Sequence, residues 1–228
     1  MERRPQMRLS VIIPTLNEAA AIGTTLAALA PLRARGCEVL VADGGSEDGT
    51  RDIAGPLADR VIVVPRGRAR QMNAGAAAAT GDALLFLHAD TRLPADADLL
   101  VARSLEKSPW GRFDVTIEGR SALLPVIAFF MNLRSRLTGI ATGDQAIFAR
   151  RADFAGFPEI ALMEDVAFSK AMKRRGAPAA LHEKVTTSGR RWERQGVLRT
   201  MVLMWRLRLA FFLGVEPDEL ARRYTGRP

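Results

Sequence analysis

The first half of the chain alternates short apolar runs with longer stretches of helical periodicity. Residues 9–13, Leu-Ser-Val-Ile-Ile, form a near-continuous apolar run closed by Pro14, the pattern of a strand buried on both faces. Ile22, Leu26 and Leu29 then share one helical stripe, with Gly36 near its end. Residues 38–42 read as a second strand that closes on a polar turn cluster over 43–50. A third strand follows at 61–64, an Ala-rich helix over 67–80 stopped by Gly81-Asp82, and a fourth strand over 83–87. Strands separated by helical segments predict βαβ units. The expected fold is therefore α/β, a mostly parallel sheet with helices on both faces.

The second half is less regular. Helices are predicted over 95–107, 122–136 and 164–175, strands over 112–117 and 145–149, and a last helix over 197–213 with another after Pro217. No repeat, low-complexity tract or linker forces a boundary. We read 1–192 as one domain and 193–228 as a basic C-terminal helical extension packed on it.

Composition narrows the class. With 228 residues, 48% hydrophobic and 25% charged, the chain is an ordinary globular sequence. The net charge of +8 favours an anionic partner: a nucleotide, a nucleic acid or an acidic membrane surface. Segment 188–228 carries nine Arg against four acids, and so supplies +5 of that charge. In the last long helix Arg199 and Arg206 share a face while Arg208 lies nearly opposite, so the pattern is not that of a clean surface-seeking helix. The single Cys37 excludes an internal disulfide, fits a reducing compartment and reads as core filler. The charged start followed by a short strand-like run predicts no signal peptide, and the apolar stretches near 122–131 and 197–215 are too short or too charged to span a bilayer. A cytoplasmic protein is expected, with contact at the inner face of the membrane left open.

The polar residues gather after the predicted strands, the edge of an open parallel sheet where ligands bind. After the first come Pro14, Thr15, Asn17 and Glu18; after the second, Asp43, Gly45 and the rest of the turn cluster. The third helix opens on Gly67-Arg68-Ala69-Arg70-Gln71-Met72-Asn73, and the fourth strand ends in His88-Ala89-Asp90. Any one loop alone has an ordinary explanation as a cap or turn. Together they aim carboxylates, amides and an arginine at one crevice.

This succession resembles the family-2 glycosyltransferases of the GT-A, Rossmann-like fold. Their hallmarks are a first strand ending in Pro-x-x-Asn-Glu, then Asp-x-x-Ser-x-Asp-x-Thr, an Asp-x-Asp-like motif, and a Glu-Asp pair downstream. Here these are Pro14-Thr15-Leu16-Asn17-Glu18, Asp43-Gly44-Gly45-Ser46-Glu47-Asp48-Gly49-Thr50, His88-Ala89-Asp90 and Glu164-Asp165. The resemblance runs over roughly residues 8–192, and the set looks most like a bacterial branch described as arsenosugar-biosynthesis or radical-SAM/selenodomain-associated glycosyltransferases.

The resemblance implies an inverting, metal-assisted transfer of sugar from a UDP- or GDP-sugar to a hydroxyl on a small-molecule or lipid-linked acceptor. It puts Pro14, Thr15, Asn17 and Glu18 on the nucleoside floor, Asp43 on the base, Arg70 near base or diphosphate, and Gly45, Asn73 and Ala89 among the donor-binding residues. Asp90 is then the ligand for Mg²⁺ or Mn²⁺, which prefer oxygen. The family's acid-x-acid has lost one carboxylate here, and His88 is left to ligate, to hold the sugar or to pack. Asp165 takes the general base position, with Glu164 beside it. Gly143 and Asp144 match a loop that lines the acceptor or donor sugar. Arg190, Arg191 and Trp192 keep the Arg-Trp of the processive relatives' Gln-x-x-Arg-Trp without its Gln, which argues against a processive synthase.

Other readings are weaker. A nucleotidyltransferase wants a Gly-rich loop after the first strand, and residues 14–18 contain no glycine. A catalytically silent nucleotide-sugar binder is suggested only by His88. A nucleic-acid partner is not expected, because no aromatic stacking platform accompanies the charge and Tyr224 is the only tyrosine. A homodimer is left open.

Overall fold

The computed structural model describes residues 7–225, so the charged start lies outside the described residues. The order begins β1 (Leu9–Thr15), α1 (Ala19–Ala34), β2 (Glu38–Asp43), α2 (Thr50–Ala54), β3 (Arg60–Val63), α3 (Arg68–Ala78) and β4 (Ala83–Phe86). It continues through β5 (Thr91–Arg92), α4 (Ala97–Lys107), β6 (Trp110–Glu118), α5 (Leu124–Thr138), β7 (Phe148–Arg150), α6 (Glu164–Lys173) and β8 (Ala179–Ser188). Three helices close it: α7 (Arg190–Gln195), α8 (Val197–Phe212) and α9 (Pro217–Thr225).

One eight-stranded sheet runs β3-β2-β1-β4-β7-β6-β8-β5. Four of its seven pairings are parallel; β7 runs antiparallel to β4 and β6, and β5 antiparallel to β8. The apolar run in β1 has its explanation here. Val11 and Ile13 face one core with Ile22, Leu26 and Leu29 of α1, while Ile12 faces the other with Met72 of α3 and Phe168 of α6. Every second residue points the same way, so a strand covered on both sides is apolar throughout. Burying each such side chain contributes about 1.5–3 kcal/mol. Cys37 belongs to the first core, and burial pushes its thiol up to about 11.

The sequence pattern misses several elements. β8 was not expected: its first six residues are half-exposed or exposed, and only Val185 and Thr187 are buried. The turn cluster hides α2, begun by Gly49 at φ 83°, and α7 was not expected. The strand predicted at 145–149 is displaced, because a 3₁₀ turn occupies Gly143–Gln145 ahead of β7. The C-terminal helices form a satellite core in which Leu207 and Leu220 meet Ile140, Met163 and Val166. No described helix is long and apolar enough to cross a membrane.

Candidate active site

The first two polar loops are laced together. The Asn17 and Glu18 backbone N–H groups donate to Ser46 Oγ and Thr50 Oγ1, each at 2.8 Å, and Asn17 Oδ1 accepts the Glu47 N–H at 2.9 Å. Asn17 sits at φ 56°, a conformation asparagine tolerates better than most residues. The two motifs therefore occur as a pair for a structural reason: each satisfies the other's backbone.

Asp43 is the hinge of this lacing. Its parallel register with Thr15 lets Thr15 Oγ1 donate to Asp43 Oδ1 at 3.1 Å, and Ser46 Oγ donates to the same oxygen. The other oxygen accepts the N–H groups of Gly45 and Ser46 at 3.0 and 2.8 Å. Burial works against the charge, but these bonds hold the carboxyl below its ordinary range. Asp43 is fully buried with both oxygens engaged, so it faces the turn and not the crevice, contrary to its expected place on the base. Gly45, at φ 88°, likewise shapes the turn.

A crevice of about 850 Å³ opens beyond these loops, along the C-terminal ends of β1, β6 and β8 and past the end of β4. Pro14, Thr15, Asn17, Glu18, His88, Ala89 and Asp90 line it from one side. Gly143, Asp144, Glu164, Asp165, Arg191 and Trp192 line it from the other. Arg70 and Asn73 do not. Arg70 pairs at the surface with Glu159 at 3.0 Å, and Asn73 clamps the backbone of Phe157 through both its amide groups. The arginine of this helix that enters is Arg68, two residues back and nearly opposite on the helix, with Nε 3.4 Å from Glu164.

The acids sit in different fields. Burial raises the Glu164 carboxyl above its usual range, with Asp165 adding and Arg68 opposing. Burial also raises Glu18, helped by the charge of Asp90. Asp144 goes the other way: burial opposes its charge, but the His88 contact, Arg68 and Arg208 bring it down to about 2. Its side chain keeps 41% exposure because it faces the open crevice. Asp165 accepts the Gly143 N–H at 2.9 Å and the Val166 N–H at 2.7 Å.

His88 Nδ1 lies 3.2 Å from Asp144 Oδ1, and Nε2 is buried without a partner. With Nδ1 engaged by Asp144, Nε2 is the ring atom left for a hydroxyl or a metal. Gly143 permits this approach, since a Cβ there would lie 2.5 Å from His88 Nε2 and 2.9 Å from Arg68 Nη2. Asn17 and Met163, both at positive φ, line the crevice, and Ala146, also at positive φ, follows the turn whose Gly143 and Asp144 line it. Such strain costs about 1–3 kcal/mol per residue and tends to collect at functional sites.

Among the described residues no three acid, His or Cys groups converge as a metal cage. Asp90, with Glu18 near enough to feel its charge, offers oxygen donors of the kind Mg²⁺ and Mn²⁺ take. Such ions need only one or two carboxylates when substrate phosphate supplies the rest. The residues present fit the ion on those terms.

The sequence reading overlooked the tail. Thr200, Met204 and Arg208 of α8 and Tyr224 of α9 also line the crevice. Arg208 Nε is buried without a partner, and Arg191 stacks on the Tyr224 ring at 4.1 Å. Arg190, not Arg191, faces the acid side, 3.6 Å from Asp90. The clue was available: Arg208 lies off the Arg199–Arg206 face, and that inner face is the one turned to the crevice.

The family model described as Glycosyl transferase family 2 matches residues 10–158. "PGL/p-HBAD biosynthesis glycosyltransferase" proteins of Mycobacterium bovis (strain BCG / Pasteur 1173P2) and Mycobacterium tuberculosis (strain ATCC 25177 / H37Ra) are 42% identical over 91 residues, 37% of this chain and 36% of theirs. The match thus spans about a third of those relatives' length. Among solved structures, glucosyl-3-phosphoglycerate synthase from Mycobacterium tuberculosis, in complex with Mn²⁺, UDP and glucosyl-3-phosphoglycerate, superposes with a TM-score of 0.59 at 21% identity over 78% of this chain and 70% of that one. S. aureus TarS 1-349 in complex with UDP-GlcNAc gives a TM-score of 0.64 at 22% identity over 80% of this chain and 58% of that one.

Proposed function

The chain belongs to glycosyl transferase family 2, and from that premise we propose that it transfers a sugar, with inversion, from a nucleotide-diphosphate sugar to an acceptor hydroxyl. The observation that carries the reading is the shared crevice, in which Asp90, Asp144 and Asp165 face Arg68, Arg190 and Arg208. Asp90 would hold a divalent cation, which would supply positive charge for the departing diphosphate. The acceptor oxygen attacks the anomeric carbon, the bond to the diphosphate oxygen breaks with its electron pair, and Asp165 takes the acceptor proton. The two backbone N–H bonds to Asp165 orient it, and Asp144 holds the His88 ring with Nε2 toward the donor sugar. Arg190 and Arg208 add positive charge where the diphosphate lies, which complements the acids without needing a second carboxylate at position 88.

UDP is the favoured nucleotide, supported by the UDP complexes among the structural neighbours. The motif set over residues 67–73 and 87–91 supports the arsenosugar-biosynthesis or radical-SAM/selenodomain-associated branch, acting in the cytoplasm. The test is release of UDP from a panel of UDP-sugars, with and without Mn²⁺, in the wild type and in Asp90→Asn. Metal-dependent release that Asp90→Asn abolishes supports the assignment. Equal rates in both proteins count against the metal, and release of GDP from a parallel panel of GDP-sugars with none of UDP counts against the base.

A further inference from the structure

Two helices of this chain turn apolar rows away from the core. On α5, Val126, Phe129, Phe130, Leu133 and Leu137 are exposed, at the three- and four-residue spacing that puts them on one helical face. On α8 the same holds for Leu198, Val202, Trp205, Leu209 and Phe212. Each helix already has an inner face: α5 is buried through Leu124, Ile127 and Ala128, and α8 through Thr200 and Leu207. The C-terminal end of α5 lies near α8, since Ile140, two residues past α5, shares a buried apolar cluster with Leu207 of α8. Exposed apolar rows of this length mark a place of interaction, not scattered surface residues.

The charge on the two helices themselves has one sign. Neither helix contains an acid, while α8 carries exposed Arg199 and Arg206 beside its apolar row. A second copy of the chain docked face to face would bring these arginines together with no carboxylate on either helix to offset them. An anionic lipid surface supplies the missing charge. We propose that α5 and α8 seat this face on a bilayer containing anionic lipid, with the apolar rows at the acyl boundary and Arg199 and Arg206 at the headgroup phosphates. Attachment is interfacial, because no described helix is long and apolar enough to cross. Trp205, 63% exposed, has the amphipathic ring suited to that boundary. The expectation that the last long helix lacks a clean surface-seeking face is thereby revised: its two faces are distinct once the inner one is assigned to the crevice. The proposal concerns outer faces only and stands independently of the sugar-transfer reading.

The test is flotation of the full chain with vesicles of phosphatidylcholine alone and of equimolar phosphatidylcholine and phosphatidylglycerol. At about 0.1 M salt, where screening reaches about 10 Å, the protein should float with the anionic vesicles and release as salt rises. Tryptophan emission should shift to the blue on binding, and Trp205→Phe should remove that shift while the protein still floats. Phe129→Ser with Trp205→Ser should keep the wild-type melting temperature and circular dichroism and lose at least tenfold in vesicle binding. Charge reversal at Arg199 or Arg206 should cost about fivefold each. The proposal is overturned if the wild type fails to float with anionic vesicles at low salt, or if the double serine variant floats as well as the wild type. It is also overturned if the protein is a dimer that the serine substitutions dissociate while vesicles are ignored.

Discussion

The Asp165 carboxylate accepts the Gly143 backbone N–H at 2.9 Å, which ties the start of α6 to the loop that carries Asp144. A base held this way has its orientation set before any acceptor arrives, and its second oxygen is fixed by the Val166 N–H at 2.7 Å. Asp165→Asn keeps the shape and one carbonyl acceptor but removes the proton-accepting charge. General-base catalysis is worth about 10²–10⁴-fold, so turnover should fall at least a hundredfold while UDP-sugar affinity stays within about threefold. The lost backbone bond costs about 1 kcal/mol, or about 2–4 °C in Tm for a chain of this size. A folded variant with wild-type turnover, measured on the same preparation as its Tm, removes Asp165 from the chemistry.

Asp43 should behave differently from a base-recognising acid. It is fully buried and accepts four hydrogen bonds, so Asp43→Asn turns an amide N–H₂ against donors. A buried network broken in this manner costs about 2–4 kcal/mol. Thermal melting should show the loss first, by about 5–15 °C, and the weakening of nucleotide binding should follow the displacement of the loops that Asp43 holds. An Asp43→Asn protein with unchanged Tm but lost UDP affinity returns this residue to direct contact with the base.

These two cases show what was legible in the sequence. Proline-closed apolar runs and the pair of polar loops mark β1, β2 and the crevice rim because a strand covered on both faces leaves little choice of residue. The same pattern is silent on where a carboxylate points, so Asp43 and Arg70 were placed in the crevice with Asp90, and only Asp90 is there. β8 was invisible because it lies between β6 and the two-residue β5 with only Val185 and Thr187 of its residues buried. The outer rows of α5 and α8 were unreadable for the opposite reason: an apolar residue facing outward has the same hydropathy as one facing the core.

Acid stability offers a separate check on the crevice. The Asp144 carboxyl lies at about 2 in the folded chain against an ordinary 3.8, so the folded state releases protons relative to the unfolded one. That contribution is fully present above about pH 4 and is lost as pH falls through about 2. The side chain is 41% exposed, so after allowance for solvent screening the contribution is about 1 kcal/mol. Asp144→Asn should therefore lose less Tm than the wild type between pH 4 and pH 2, in parallel thermal melts. His88→Ala, which removes a hydrogen-bond partner of Asp144, should shift its titration upward in carboxyl NMR. Identical acid profiles for wild type and Asp144→Asn count against the His88–Asp144 contact.

The burial of Arg208 makes little sense for stability alone. Its Nε is buried without a partner, and burial lowers its pKa despite the attraction of Asp165 and Asp144. A group whose charged form is disfavoured on balance by its surroundings destabilises the fold that contains it, so a neutral side chain of similar length should relieve the chain. Arg208→Met is expected to raise Tm. The same arginine lines the crevice beside the proposed base, where an incoming diphosphate would supply the missing acceptor oxygens. Loss of a charge-assisted hydrogen bond in such a place is worth about 1.5–3 kcal/mol, which corresponds to a fall in UDP-sugar affinity of about ten- to a hundredfold. The two effects have opposite signs, and that opposition distinguishes a binding arginine from a structural one. A structural Arg208 predicts a lower Tm with unchanged affinity in Arg208→Met; calorimetric titration with UDP-sugar and a thermal melt of the same sample decide between them.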